Sequence, residues 1–139
     1  MSEYPEPVPG RIAVVGPCGA GKSELVRRLR AQSIDARQCG QEHSLVPDMW
    51  RWISRPQVLI YLDAPDGVLE KRRGVPADPA YAAEQRRRLE RARAGCHLYL
   101  DTGALSREQV AERVLAALAE LDPGVKGLPG SGPEEGPPV

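Results

Sequence analysis

The feature that most constrains this chain is an abrupt change of character between residues 11 and 32. RIAVV (11–15) reads as a short apolar strand, GPCGAGKS (16–23) carries three glycines, and KSELVRRLRAQ (22–32) places Leu25, Val26 and Leu29 on one helical face. A strand that runs through a glycine-rich turn straight into an amphipathic helix must lay that helix back across the sheet. The next strand then returns parallel to the first.

The alternation repeats. IDARQC (34–39) is a weak strand candidate, PDMWRWI (47–53) a helical turn starting near Asp48, and VLIYLDA (58–64) the clearest buried strand. A helix follows over Asp66 to Arg73, then a break at GVPADP, then the long charged helix AYAAEQRRRLERARA (80–94). HLYLDT (97–102) is the last strand. Ser106 and Gln109 form a capping box opening REQVAERVLAALAEL (107–121), whose apolar stripe is Val110, Val114, Leu115, Leu118 and Leu121. The fold class expected is α/β: a three-layer α/β/α sandwich around a small parallel sheet of about four to five strands. Ligands of such sheets bind at the carboxyl ends of the strands. Residues 1–10 and 122–139, crowded with Pro and Gly, are expected to be a flexible start and a disordered tail. Apolar residues make up 41% of the 139 residues, enough for one modest core between them.

Composition excludes some functions. A formal net charge of zero argues against nucleic acid. No apolar run approaches the roughly 20 residues of a membrane helix. Three cysteines without metal-ligand spacing point to reduced thiols and a cytoplasmic location.

The glycine segment matches G-x-x-x-x-G-K-S, with Gly16, Gly21, Lys22 and Ser23 at the defined positions. Glycines open backbone angles that turn successive N–H groups inward as an anion nest, and the following helix adds the positive end of its dipole. The chain thus resembles the P-loop NTPase superfamily over residues 11–121. The resemblance implies that Gly16, Pro17, Cys18, Gly19, Ala20, Gly21, Lys22, Ser23 and Glu24 hold a nucleoside triphosphate tail. Lys22 would reach the β and γ phosphates, and Ser23 would ligate Mg²⁺. Cys18 reads as a small filler residue. Guanine-specific members carry Asn/Thr-Lys-x-Asp; this chain has no Asn, and none of its three lysines precedes x-Asp, so ATP is the expected nucleotide.

VLIYLDAPDGVLEKRRG (58–74) and YLDTGALSREQVAERVLAAL (99–118) resemble the pre-lid and final segments of adenylate and thymidylate kinase-like enzymes. That implies a P-loop kinase-like fold with RRGVPADPAYAAEQRRR (72–88) as the lid. Arg72, Arg73 and Arg87 would then stabilise the transferred phosphoryl. Thr102, Gly103 and Ala104 would line an adenine pocket. The usual acceptor-binding insert is missing between residues 33 and 57. Within CGQEHSLVPDMWRW (39–52), Glu-x-Ser resembles the Glu-Arg-Ser of deoxynucleoside kinases, making Glu42 the base or a Mg²⁺ holder and His43 a phosphate-directed donor. Asp63, ending the clearest strand, competes with Glu42 for the metal-side role. Trp50 and Trp52 read as packing residues or a homodimer contact. The function expected is a minimal kinase moving the γ-phosphoryl of ATP to a small-molecule acceptor; the alternative is a nucleotide-binding regulatory protein with slow ATPase activity.

Overall fold

The computed structural model describes residues 4–76 and 78–121. The expected tail, 122–139, lies outside the described residues. Strands β1 (Val8–Val15), β2 (Ala36–Gln38), β3 (Pro56–Asp63) and β4 (Leu98–Asp101) alternate with five helices. These are α1 (Lys22–Ala31), α2 (Asp66–Arg73), α3 (Pro79–Arg88), α4 (Glu90–Gly95) and α5 (Arg107–Glu120). All strand pairs are parallel, in the order β2-β1-β3-β4. Ile12 is the registration point, paired with Ala36 on one side and Val58 on the other. The chain steps left from β1 to β2, then crosses to the right for β3 and β4. The reversal leaves a crevice at the carboxyl ends of β1 and β3, where the glycine loop emerges.

Alternation along the strands divides the core in two. Ile12, Val14, Val58, Ile60 and Leu62 face Leu25 and Leu29 of α1 and Val110, Val114 and Leu118 of α5. Ala13, Val15, Leu59 and Tyr61 face the other way, toward Leu89, Ala92 and Trp50. Helices therefore cover both faces, as a parallel sheet requires. The α1 face is the one expected. In α5 the capping box is present, with Ser106 accepting from the Gln109 N–H and Gln109 reaching back to Ser106. Ala111 joins its stripe, while Leu115 and Leu121 stay partly buried.

Four differences have physical causes. β1 begins at Val8, not Arg11, because Gly10 (φ 79°) absorbs a register shift between Val8 and Ile12 and donates its N–H to the Gln57 side chain at 2.7 Å. The segment expected to be loose is also tied down by Tyr4, which donates to Asp48 at 2.5 Å and lies 5.1 Å from the Trp52 ring. The helix expected over 80–94 breaks at Leu89, whose side chain is fully buried while its Arg and Glu neighbours keep to the surface. Finally, Trp50–Ser54 closes a π-helical turn, with the Arg55 N–H bonded to the Trp50 carbonyl at 3.0 Å.

Candidate functional site

The glycine loop has the geometry its composition demands. Gly16, Gly19 and Gly21 have φ of 149°, 92° and 106°. At Gly16 space adds to conformation: a Cβ there would lie 2.1 Å from the Leu62 carbonyl oxygen, so β1 can turn beside β3 only without a side chain. Gly21 is the N-cap of α1 and offers no side-chain cap, leaving first-turn amides without an intrahelical acceptor.

Lys22 is buried, 5% exposed. Its ammonium donates to the Gly16 carbonyl at 2.8 Å and the Pro17 carbonyl at 3.1 Å, and pairs with the Glu42 carboxylate at 3.0 Å. The carboxylate is as buried as the lysine, and its second oxygen, Oε1, has no hydrogen-bond partner among the described residues. Glu42 arrives there because β2 pairs with β1 and the chain then turns through a 3₁₀ turn, Gln41–His43. Gln41 braces that turn, donating to the Val46 carbonyl at 2.7 Å and accepting from the Trp50 N–H at 3.1 Å.

Loop, turn and helix ends enclose a cavity of about 850 Å³. Its walls include Gly19, Lys22, Ser23, Glu42, His43, Thr102, Leu105, Arg107 and Val110. That volume lies within the range of small-ligand sites. The Ser23 hydroxyl donates to Gln38 at 2.7 Å. Glu24 lies on the wall, paired with Arg27 and Arg28, which hold its carboxyl down at about 2.

The remaining candidates separate. Cys18 lines the cavity, but its N–H donates outward to Gln85 at 3.3 Å, so this amide faces α3 and not the nest. Arg72 is on the wall, donating to the carbonyl of Gly19 at 3.1 Å and the hydroxyl of Thr102 at 2.9 Å. Arg73 lies on the far side of the loop beside Pro17, with its Nε buried and unpartnered among the described residues. Arg87 points to solvent and pairs with Glu84; its neighbour Arg86 turns inward instead. Asp63 is not beside the loop's cation: its carboxylate accepts from Arg86 at 3.0 Å, from Tyr99 at 2.9 Å and from the Ala64 N–H at 2.8 Å. Burial works against the Arg86 charge, but Asp66 and Asp63 more than offset it and raise its pKa. Of the expected base-side trio only Thr102 reaches the cavity; the Gly103 N–H is bonded to Asp101. Trp50 packs into the second core cluster and Trp52 against Tyr4.

Sequence reasoning missed Gln38, Gln85, Arg107 and the apolar wall of Leu105 and Val110. Gln38 had a signal, since it ends a strand at the carboxyl edge of the sheet. Gln85 had none, being one polar residue in a charged helix. No family model matches the chain, and no curated protein matches it. Among the described residues no helix is long and apolar enough to cross a membrane.

Proposed function

We propose that the cavity binds the triphosphate of ATP with Mg²⁺ and that the protein transfers the γ-phosphoryl to a small hydroxyl or phosphate acceptor. The observation that carries this is Lys22: a buried ammonium held by loop carbonyls at the mouth of a glycine turn, over a cavity large enough for a nucleotide. At rest the Glu42 carboxylate is the ammonium's counter-charge and the two carbonyls are its weaker partners; charged phosphate oxygens are stronger acceptors than the carbonyls. Lys22 exchanges the carbonyls and the Glu42 carboxylate for phosphate oxygens as the tail arrives, which frees Glu42 to accept the acceptor's proton. Mg²⁺, held through Ser23, would neutralise charge between the phosphates. Arg72 supplies the remaining positive charge on the cavity wall. Arg87 has no part, and Asp63 organises the α3 side of the sheet.

The test is calorimetric titration of the protein with Mg²⁺ and ATP, then GTP, beside Lys22→Met. Loss of the lysine leaves Glu42 buried without a counter-charge, so Lys22→Met is paired with Glu42→Gln to keep the fold. ATP affinity falls by about 100-fold or more in both variants. Equal affinity in wild type and Lys22→Met sinks the proposal. A second reading, a nucleotide-binding interaction protein with slow ATPase activity, is favoured by apolar surface: Leu45 is 78% exposed and Ile53 70%. Labelled phosphate appearing on a member of a nucleoside, nucleotide and sugar panel selects the kinase; slow release to water alone selects the second reading.

A further inference from the structure

We propose that Cys18, Glu42 and His43 form a three-ligand site for a thiophilic divalent cation of the zinc class, set into the phosphate loop. The thiol comes from the loop and the other two groups from the 3₁₀ turn after β2. Their ligand atoms converge: Cys18 Sγ lies 3.4 Å from His43 Nε2 and 3.9 Å from Glu42 Oε2, and the last two are 3.6 Å apart. Bond lengths of about 2.3 Å to sulfur and about 2.0–2.1 Å to nitrogen or oxygen, at tetrahedral angles, put such atoms about 3.4–3.6 Å apart. Each observed separation is within about 0.4 Å of that spacing. The arrangement is already made in the folded chain.

A second observation points to a ligand. Glu42 is 97% covered, and its Oε1 has no partner among the described residues. One oxygen of this carboxylate serves Lys22; the other is an acceptor buried with nothing to accept from. The oxygen that faces Cys18 and His43 is Oε2, the one Lys22 contacts at 3.0 Å, so a cation that takes Oε2 leaves the vacant Oε1 for the Lys22 ammonium. Around the thiol, the Gln85 amide donates to Cys18 Sγ at 3.4 Å, the outer contact that steadies a metal-bound thiolate. On binding, the thiol proton passes to solvent and the S–H bond is replaced by a bond from sulfur to metal. Thiolate and carboxylate then face the cation's two charges and the Lys22 ammonium, with imidazole neutral, which leaves one positive charge for an anionic fourth ligand. Three protein ligands leave a fourth position, which opens on the cavity, the pattern of a reactive and not a purely structural site. The donor set differs from the oxygen-only environment that Mg²⁺ prefers, and while the cation is bound Glu42 is not free to act as a base, so the two uses of this carboxylate exclude one another.

The experiment strips the full chain with a chelator and titrates it with Co²⁺ in excess Mg²⁺, without nucleotide, so that its failure leaves the ATP proposal standing. One equivalent of Co²⁺ is expected to give a thiolate-to-metal charge-transfer band and tetrahedral ligand-field bands. Cys18→Ser removes the charge-transfer band, and Cys96→Ser keeps it. His43→Ala, at a side chain 55% exposed and therefore safe for the fold, weakens binding by at least the 10- to 100-fold or so that losing an outer contact costs. If Cys18→Ser does not fold, His43→Ala decides alone. Absence of the bands in the wild-type chain, or Co²⁺ affinity unchanged by His43→Ala, overturns the proposal.

Discussion

The two faces of the sheet are built by different physics. The face under α1 and α5 is a continuous apolar layer in which Leu25, Leu29, Val114 and Leu118 meet the strands with almost no exposure. The face under α3 and α4 holds a small cluster around Leu89 and Ala92, rimmed by directional contacts. There Arg86 bridges Asp63 and Asp66, Arg91 pairs with Asp48, Tyr61 stacks on Tyr99, and Arg93 lies 3.9 Å over the Tyr99 ring. The first face can lose no atom cheaply. The second is held by pairs that can be exchanged one at a time, and it carries Gln85, the contact from α3 to the glycine loop. Stability sits on one side of the sheet and adjustability on the other.

Matched truncations test this most severely. Leu29→Ala and Leu89→Ala delete the same atoms from side chains that are both 0% exposed. What differs is how far the surroundings can close on the cavity. Leu29 is hemmed in by strands and α5, so its loss is expected to cost about 4 kcal/mol. Leu89 sits at the break between two helices, which can shift inward, and its loss is expected to cost about 2 kcal/mol. Urea unfolding of both variants measures the gap. Equal costs would mean that the α3 face is packed as tightly as the other and that the contrast is one of composition only.

A middle-sized effect is expected at Asp63, the node of the polar face. Asp63→Asn keeps an acceptor for the Ala64 N–H but removes the charge facing Arg86. A loss of roughly 1–2 kcal/mol follows from weakening a hydrogen bond between charged groups. Arg86→Gln on the Asp63→Asn background should then cost little more, since the two act as one unit. The same variant sharpens the functional assignment. Mg²⁺-dependent turnover of ATP should survive Asp63→Asn and not Glu42→Gln, and the opposite order would return Asp63 to the metal-side role that its strand position suggested.

The contrast between the faces also explains what could be read from the chain. The strand, glycine loop and α1 are specified by neighbours in sequence: apolar run, positive-φ glycines, a helical stripe. The capping box of Ser106 and Gln109 is equally local. Convergence across distance is another matter. Cys18 and Glu42 meet only because three residues of β2 land beside β1, and no pattern in either segment announces it. Arg87 was singled out within a run of three arginines, yet one position along a helix turns the side chain by about 100°. The inward residue is Arg86, which is chosen by acids on β3 and α2. Gly10 misled in a different way: a residue that usually ends a strand here supplies a bulge that lets β1 continue.

The smallest effect should be a pH dependence carried by the polar face. His97 stands just before β4 and closes the ladder to β3: its N–H donates to the Leu59 carbonyl at 2.8 Å, and its Nδ1 accepts from the Leu59 N–H at 2.9 Å. Loss of solvent around the ring lowers its pKa below the ordinary 6.5, although the residue as a whole stays exposed. A proton on Nδ1 would also remove the acceptor that Leu59 uses. Above 6.5 both folded and unfolded chains hold the ring neutral, and its contribution is fully present. As the pH drops below that value the unfolded chain takes up a proton first, so stability declines until the folded ring also titrates. The carboxyls of Asp35 and Asp48 lie outside this window: burial pushes Asp35 up but Arg11 and Arg37 more than offset it, and Arg91 holds Asp48 below its usual range. The urea midpoint is expected to fall slightly between about pH 7.5 and about pH 5.5. His97→Asn, whose side-chain oxygen can accept the same Leu59 N–H, should flatten that slope while His43→Ala leaves it in place. A slope that follows His43 instead would move the pH response to the glycine-loop cavity and away from the polar face.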